Sequence, residues 1–193
     1  MNMQIKDFFQ YVGKEVTVKG WVANKRSGKT LVFIIMRDGS GFIQCVVNKE
    51  TIGELMFNEA DRLTMESAIE LKGIVIADER QSGGFELQVS DMKIISIAED
   101  YPISKKVHGV DFLADNRHLW LRSKRQWAIM RIRNRIIFSI HNFFQGEGFV
   151  QMDAPIFTGN ACEGTSDLFE TIYFDRPAYL TQSGQLYGEA MAM

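Results

Sequence analysis

The sequence predicts an α+β protein in which a small antiparallel β-barrel precedes a long helix and the beginning of a second, antiparallel sheet. Two observations predict this order. Residues 14–97 alternate apolar and polar side chains with a period of two, which is typical of half-buried strands. From about residue 123 to 145 the apolar residues recur every three or four positions, as on one face of an amphipathic helix.

The first half is predicted to contain five strands, at residues 15–22, 31–37, 42–47, 67–77 and 85–97. The turn signal Asp38-Gly39-Ser40-Gly41 joins the second strand to the third. A helix is predicted over residues 51–64, with Leu55, Glu59 and Leu63 on one face. Five strands with a helix between the third and fourth is the order of an OB-fold, a common binder of single-stranded nucleic acid. A small antiparallel barrel without a ligand is the alternative.

Residues 100–117 lack clear periodicity and contain Pro102 and Gly109, so they are predicted to form a hinge or linker. The helix that follows is predicted to end at Gly146 and Gly148. Phe149–Met152 is then predicted as a short strand. These boundaries divide the chain into a first domain at 1–99, a linker at 100–117 and a second domain at 118–193.

The composition excludes several classes of protein. The chain has 193 residues, of which 46% are apolar and 24% charged, and a net charge of −2, so no overall basic field indicates a nucleic-acid partner. No apolar run reaches the roughly 18 residues of a membrane span, and Met1–Lys6 lacks the features of a signal peptide. We therefore expect a cytoplasmic protein without a membrane partner. Cys45 and Cys162 are expected to be reduced thiols, since they have no partner spacing for a disulfide or zinc site.

The segment Lys25-Arg26-Ser27-Gly28-Lys29 is predicted as a basic loop between the first two strands. A nucleotide unstacked from an RNA loop needs a cation for its phosphate, a flat face for its base and an amide for the base edge. Arg26, Phe33 and Gln44 supply those three groups. From the residues alone, a solvated basic turn with Phe33 in the core is the favoured alternative.

A family resemblance favours the nucleic-acid interpretation. Several stretches resemble the anticodon-binding domain of the aspartyl and asparaginyl enzymes among the class II aminoacyl-tRNA synthetases: Gly20-Trp21-Val22, Lys25-Arg26, Phe33–Asp38, Gly41 and Gln44. The resemblance covers residues 14–97. It implies that tRNA is a partner, that Phe33 stacks on an anticodon base and that Gln44 recognises the central uridine. It also implies that Arg26 contacts the anticodon strand.

The second half resembles the same family at its first signature motif. The predicted helix over residues 123–145, the following Gly148-Phe149-Val150 and Pro155 carry this resemblance. In the family the motif builds the dimer interface, so the resemblance implies a homodimer in which Pro155 is structural. Upstream, Asn116–Arg122 resembles the family's entry into the catalytic domain.

Two later segments resemble the amino-acid pocket of the aspartyl/asparaginyl/lysyl subgroup. Residues 162–169, Cys-Glu-Gly-Thr-Ser-Asp-Leu-Phe, resemble the mobile loop that closes over the substrate. The resemblance implies that Glu163 binds the substrate ammonium through a charge-assisted hydrogen bond. Gln182–Tyr187 resembles the segment in which the pocket residues Ser183 and Gln185 bind the amino acid.

One departure from the aspartyl pattern favours asparagine as the substrate. The aspartyl enzymes have a lysine three residues after this glutamine, where it neutralises the substrate carboxylate, whereas this sequence has Gly188 followed by Glu189. Without the lysine, bound aspartate would keep an unpaired buried charge, which is costly, and a neutral carboxamide avoids that cost. Ser183-Gly184-Gln185, where the aspartyl enzymes have Ser-Pro-Gln, also matches the asparaginyl branch.

No catalytic residue or metal ligand is assigned within the sequence. It contains no phosphate-cradling glycine loop, no paired carboxylates suited to Mg²⁺ and no nucleophile beside a base. The resemblance implies that ATP and Mg²⁺ bind beyond residue 193, where the family has its second and third signature motifs. We therefore expect an amino-terminal fragment that is inactive alone and comprises an anticodon-binding domain, a hinge and the first part of a catalytic domain.

The activity implied by the resemblance is the ATP-dependent attachment of asparagine to its tRNA through asparaginyl-adenylate. An aspartate–tRNA ligase of relaxed tRNA choice is the alternative within the family, and Gly188 argues against it. A lysyl enzyme is disfavoured because its substrate needs more carboxylate in the pocket. A non-catalytic OB-fold module that binds nucleic acid is the alternative from a different class.

Overall fold

The computed structural model describes residues 3–81, 83–104, 106–160 and 168–193. The chain divides into two compact units, Met1–Gly109 and Val110–Met193. The division lies inside the 100–117 segment predicted as a linker, and the second part of that segment forms a short helix. The domain boundaries of the sequence analysis stay a prediction.

The first unit is a closed barrel of five strands in the order β1-β2-β3-β5-β4. Neighbouring strands are antiparallel except β3 and β5, which are parallel. A 3-10 helix at Ile5–Tyr11 precedes the barrel. The other elements are β1 (Glu15–Ser27), β2 (Leu31–Arg37), β3 (Phe42–Asn48), α1 (Lys49–Ile52), α2 (Glu54–Arg62), β4 (Ala68–Ala77) and β5 (Phe85–Ser96). The strand order and the helices between β3 and β4 are those of an OB-fold, so the predicted fold class is confirmed.

Alternate residues of each strand fill the barrel. In β2 and β3 every second side chain is buried, as the period of two predicts. Phe8 of the 3-10 helix and Phe57 of α2 join the same core from outside the sheet. Because each large apolar side chain contributes about 1.5–3 kcal/mol when fully buried, this core is the main source of the unit's stability.

Cys45 of β3 is fully buried in this core and is a free thiol. Burial, with a smaller effect of the nearby Glu86 carboxylate, raises the pKa of the Cys45 thiol well above its usual range. Cys162, the other predicted free thiol, lies outside the described residues.

Two glycines allow the barrel strands to lie close together. A Cβ atom at Gly20 of β1 would collide with the carbonyl oxygen of Arg37, and one at Gly73 of β4 would collide with that of Gln88. These oxygens belong to neighbouring strands, so they cannot move without disturbing the hydrogen-bonded ladder. Space therefore requires glycine at both positions.

The helix predicted over residues 51–64 is broken in two at Gly53. This residue has a φ of 81°, in the left-handed region that favours glycine, and it separates α1 from α2. The break resets the helical phase, so Phe57 and Ala60 are buried whereas Leu55 is 87% exposed. The predicted apolar face is therefore wrong at Leu55.

The described part of the second unit contains four helices and a small sheet in the order β6-β8-β7. Ser123 caps the long helix α5, since its hydroxyl accepts a hydrogen bond from the backbone N–H of Gln126 at 3.4 Å. The elements are α3 (Val110–Asp115), α4 (Arg117–Trp120), α5 (Lys124–Gly146), β6 (Phe157–Thr158), β7 (Glu170–Tyr173), β8 (Arg176–Leu180) and α6 (Gln185–Ala192). The long helix predicted from the three- and four-residue period is confirmed by α5.

The short strand predicted at Phe149–Met152 does not form. Alternating side chains favour an extended backbone, but a strand also needs a neighbour that accepts its backbone hydrogen bonds. In the described part of this unit the sheet consists of β6, β8 and β7, and none of them pairs with residues 149–152.

Most apolar side chains of the second unit are exposed. Ala178 is the only apolar residue in its described part that is buried. The apolar residues of α5 that recur at three and four are between 42% and 61% exposed: Ile129, Ile132, Ile136, Ile140 and Phe143. A helix in a protein gains most of its stability from packing of its apolar face. This stripe of α5 is therefore an apolar surface that the described residues of its unit leave open.

The barrel core makes a direct prediction about two isoleucines of β4. Ile69 is fully buried and Ile74 is 42% exposed on the same strand. Ile69→Ala should lower the free energy of unfolding of the barrel by about 2–5 kcal/mol, because it leaves a cavity. The matched variant Ile74→Ala should cost about 1 kcal/mol or less. Urea denaturation of residues 1–109 measures both, and equal losses would contradict the assignment of the core.

Candidate nucleic-acid and amino-acid sites

The outer face of the barrel brings the three predicted RNA-binding residues together. Arg26 of β1 pairs in register with Phe33 of β2, and its guanidinium carbon Cζ lies 4.8 Å from the centre of the Phe33 ring. This is the geometry of a cation–π contact. Gln44 of β3 pairs with Ile35, two positions along β2 from Phe33, so Gln44 is a diagonal neighbour of Phe33 on the same face.

Phe33 does not belong to the core. Its neighbours Val32 and Ile34 are fully buried inside the barrel, whereas Phe33 is half-buried on the opposite face of the strand. The alternative in which Phe33 is a core residue is therefore wrong. An aromatic ring on the outer face of a sheet is the platform that proteins use to stack unpaired bases.

The predicted basic loop is shorter than the sequence suggested, because Lys25–Ser27 belongs to β1. A β-bulge between Val22 and Asn24 shifts the pairing of β1 with β2 by one residue. A one-residue shift turns the following side chains to the opposite face of a sheet. Without the bulge, the alternation that buries Val22 would also turn Arg26 inward.

Lys25 points away from Phe33. It pairs with the buried Ile34, and its Nζ donates a hydrogen bond to the backbone carbonyl of Asp61 at the end of α2. Partial burial lowers the pKa of Lys25, and the Asp61 carboxylate opposes this effect. Of Lys25 and Arg26, only Arg26 therefore lies beside Phe33.

Gln44 has a fixed partner that the sequence analysis missed. Its amide Nε2 donates a hydrogen bond of 3.1 Å to Oε2 of Glu86, which is its neighbour on the parallel strand β5. A carboxylate accepts hydrogen bonds and does not donate them, so it determines which end of the Gln44 amide faces it. We call Arg26, Phe33, Gln44 and Glu86 the outer strip.

A second cation–π contact supports the same strands. The guanidinium of Arg37 lies 5.2 Å from the centre of the Trp21 ring and forms an ion pair with Glu66. Glu66 is nearly buried and precedes β4, so Arg37 connects β1, β2 and the start of β4.

The described part of the predicted amino-acid site lies at the start of α6. Gln185 is the first residue of this helix, and its backbone N–H donates to the Ser183 hydroxyl at 3.3 Å. Its side-chain Nε2 donates to Oε1 of Glu189 at 2.9 Å, which is an i to i+4 pair on one helix face. Gly188 belongs to the same turn, and a Cβ atom added there would meet nothing within 4 Å apart from its chain neighbours and its own helix backbone.

Of the two remaining predicted residues, Glu163 and Pro155, the structure describes only Pro155. Glu163 lies outside the described residues, so its predicted contact with the substrate ammonium stays a prediction. Pro155 precedes β6, and the next residue, Ile156, accepts a hydrogen bond of 3.0 Å through its backbone carbonyl from the N–H of Thr181. The segment before β6 therefore lies beside the loop that leads to Gln185.

Two classes of feature are absent from the described ranges 3–81, 83–104, 106–160 and 168–193. No three His, Cys, Asp or Glu side chains come together there as a group that could hold a metal ion. No described helix is both long and apolar enough to cross a lipid bilayer.

Two protein families match this chain. Residues 16–95 match the family of OB-fold nucleic acid binding domains that carries the name tRNA anti-codon, and residues 109–193 match the tRNA synthetases class II (D, K and N). The first match coincides with the barrel, and the second covers α3 to α6.

Individual relatives agree with these families. The chain is 52% identical over 189 residues to the asparagine–tRNA ligase of Pelotomaculum thermopropionicum and 50% identical over 199 residues to that of Streptococcus mutans. These matches cover 98% and 99% of this chain but 44% of each relative, so the chain spans less than half the length of the relatives.

Solved structures give the same result. The asparaginyl-tRNA synthetase of Pyrococcus horikoshii, complexed with asparaginyl-adenylate, superposes with a TM-score of 0.90 at 34% identity and covers 99% of this chain. This chain spans 45% of that structure. The Entamoeba histolytica asparaginyl-tRNA synthetase superposes with a TM-score of 0.81 at 32% identity over 97% of this chain and 44% of its own.

Proposed function

We propose that this chain, which belongs to the class II tRNA synthetases of the D, K and N group, contains the anticodon-recognising and amino-acid-selecting parts of an asparagine–tRNA ligase. The observation that carries the choice of asparagine is the first turn of α6. There Gln185 is hydrogen-bonded to Glu189, and Gly188 stands where an aspartate-binding lysine would be expected. We propose that the enzyme acts in the cytoplasm, where tRNA is aminoacylated.

The outer strip supports recognition of a uridine at the centre of the anticodon. Uridine presents an N–H donor beside a carbonyl acceptor, whereas cytidine presents an acceptor beside an amino donor. Glu86 occupies one N–H of the Gln44 amide, which leaves its other N–H and its oxygen for a base. That pair fits uridine. Cytidine would require a flipped amide, whose oxygen would then oppose the Glu86 carboxylate.

Phe33 and Gln44 should therefore have separable effects on RNA binding. Phe33→Ala should weaken binding of an anticodon stem-loop by about 1–3 kcal/mol, because it removes a stacking surface. Gln44→Ala should reduce the preference for uridine over cytidine at the central base. The measurement is the Kd of each variant for stem-loops that differ only at that base.

Phe9→Ala is a matched control for this experiment. Phe9 is 63% exposed, belongs to the same unit and lies on the 3-10 helix and not on the outer strip. Its removal should leave RNA affinity unchanged. Equal affinity of the unmodified protein for uridine and cytidine loops would rule out the assignment of Gln44.

The start of α6 supports selection of a carboxamide. Asparagine and aspartate have nearly the same shape, so an enzyme must separate them by charge and hydrogen bonding. The Glu189 carboxylate lies within one helical turn of Gly188 and can accept an N–H from a carboxamide, whereas it repels a carboxylate. Glu163 supplies a negative group for the substrate ammonium in this proposal.

In the proposed reaction, a carboxylate oxygen of asparagine attacks the α-phosphorus of ATP and pyrophosphate leaves. A hydroxyl of the tRNA then attacks the resulting asparaginyl-adenylate, and AMP leaves. The described residues bind and orient the amino acid and the anticodon. The ATP-binding cations and Mg²⁺ are proposed to lie in the remaining length of the enzyme, since the relatives are more than twice as long.

The full-length enzyme should activate asparagine in preference to aspartate by up to about four to five orders of magnitude. Gly188→Lys should weaken the use of asparagine, because the new cation competes for Glu189 and favours a carboxylate substrate. Glu163→Ala should raise the KM for asparagine. Amino-acid-dependent ATP–pyrophosphate exchange measures all three effects.

Gly188→Ala separates charge from bulk in this test. Its Cβ would meet nothing within 4 Å apart from its chain neighbours and its own helix backbone, so Gly188→Ala should preserve the ratio of asparagine to aspartate use that Gly188→Lys changes. Faster exchange with aspartate than with asparagine by the unmodified enzyme would instead support an aspartate–tRNA ligase.

We also propose that the full-length enzyme is a homodimer whose interface includes the apolar stripe of α5 and the segment around Pro155. A two-fold interface buries the same patch from both subunits, which suits a stripe on a single helix. Ile136→Glu on the stripe should dissociate the dimer, whereas Asn134→Glu on the opposite face of α5 should not. Sedimentation at micromolar concentration measures the mass, and a monomeric unmodified enzyme would contradict the proposal.

A further inference from the structure

Space beside Ala154, and not backbone conformation, restricts residue 184 to glycine. It has φ −84° and ψ 12°, a region that any residue can adopt. A Cβ atom at this position, however, would lie 2.9 Å from the Cβ of Ala154. Carbon atoms in contact are normally about 3.5–4.0 Å apart, so a second methyl group does not fit here.

Neither methyl group could relieve this contact by rotating to another side-chain conformation. Ala154 has a single Cβ and no rotamer to change, so an added Cβ at residue 184 must be accommodated by a shift of the backbone. Ala154 lies two residues before Ile156, whose carbonyl accepts a hydrogen bond from Thr181 at 3.0 Å. The two segments are therefore held side by side where the contact occurs.

The contact lies at the start of the helix that carries the proposed amino-acid-binding residues. Gly184 is the N-cap of α6, and its carbonyl accepts a hydrogen bond of 2.7 Å from the N–H of Gly188. Gln185 follows it directly, and Gln185 is hydrogen-bonded to Glu189. A displacement of Gly184 therefore displaces these groups together.

We propose that the Ala154–Gly184 contact is a positioning element that sets the location of Gln185 and Glu189 for the amino-acid substrate. Neither residue touches the substrate. Their small size lets the first turn of α6 lie against the segment before β6, and this proposal rests on the proposed function of α6. A displacement of binding groups by an ångström can cost up to about a hundredfold in catalytic efficiency.

Reciprocal variants of the full-length enzyme test this contact. Gly184→Ala should raise the KM for asparagine in ATP–pyrophosphate exchange by roughly tenfold or more and leave the KM for ATP unchanged. The double variant Gly184→Ala with Ala154→Gly carries one methyl group at the contact, as the natural pair does. It should restore the KM for asparagine to within about twofold of the unmodified enzyme.

Gly146→Ala is the matched control, because a Cβ at Gly146, at the end of α5, would meet nothing within 4 Å apart from its chain neighbours and its own helix backbone. It should leave both KM values unchanged. An unchanged KM for asparagine in Gly184→Ala would overturn the proposal, even if the melting temperature falls. A raised KM that persists in the double variant would overturn it as well.

Two further outcomes are informative. If Gly184→Ala fails to fold, a folded double variant with a normal KM for asparagine supports the contact, and an unfolded double variant contradicts it. If the unmodified enzyme does not use asparagine, the proposed function fails. The same variants measured with aspartate then decide whether the contact positions α6.

Discussion

Strand β1 must pair with two neighbours along its length, and the barrel depends on this constraint. Its first half, Glu15–Trp21, pairs with β4 and closes the barrel, whereas its second half pairs with β2. The two pairings overlap at Trp21, and the β-bulge that follows Val22 reverses the side-chain phase. The bulge in this shared strand therefore puts Arg26 beside Phe33 on the outer face.

The two units solve the problem of apolar burial in different ways. The barrel buries its apolar residues within itself, so the outer strip rests on a core that is complete in Met1–Gly109. In the second unit, by contrast, α5 keeps an exposed apolar stripe, and α6 is located by a hydrogen bond and a tight contact with the segment before β6. The proposed amino-acid site consequently depends on short segments that fit closely, and its precision is set by residues as small as Ala154.

Local patterns were sufficient to predict the five barrel strands, because a period of two is visible in adjacent residues. They also predicted α5, whose cap at Ser123 and stop near Gly146 are both local signals. Features that depend on distant pairing could not be predicted in this way. The bond from Gln44 to Glu86 joins residues 42 positions apart through a parallel pairing of β3 and β5. The predicted strand at 149–152 failed for the complementary reason, since its local pattern has no described partner.

Because Cys45 is buried, the reactivity of its thiol depends on how often the barrel opens. A thiol reacts with alkylating reagents as the thiolate, and here the thiol is both inaccessible and held protonated by its surroundings. Alkylation of this side chain must therefore wait until β3 separates from its neighbours β2 and β5. The rate of that modification therefore reports how often β3, the strand that carries Gln44, separates from its neighbours.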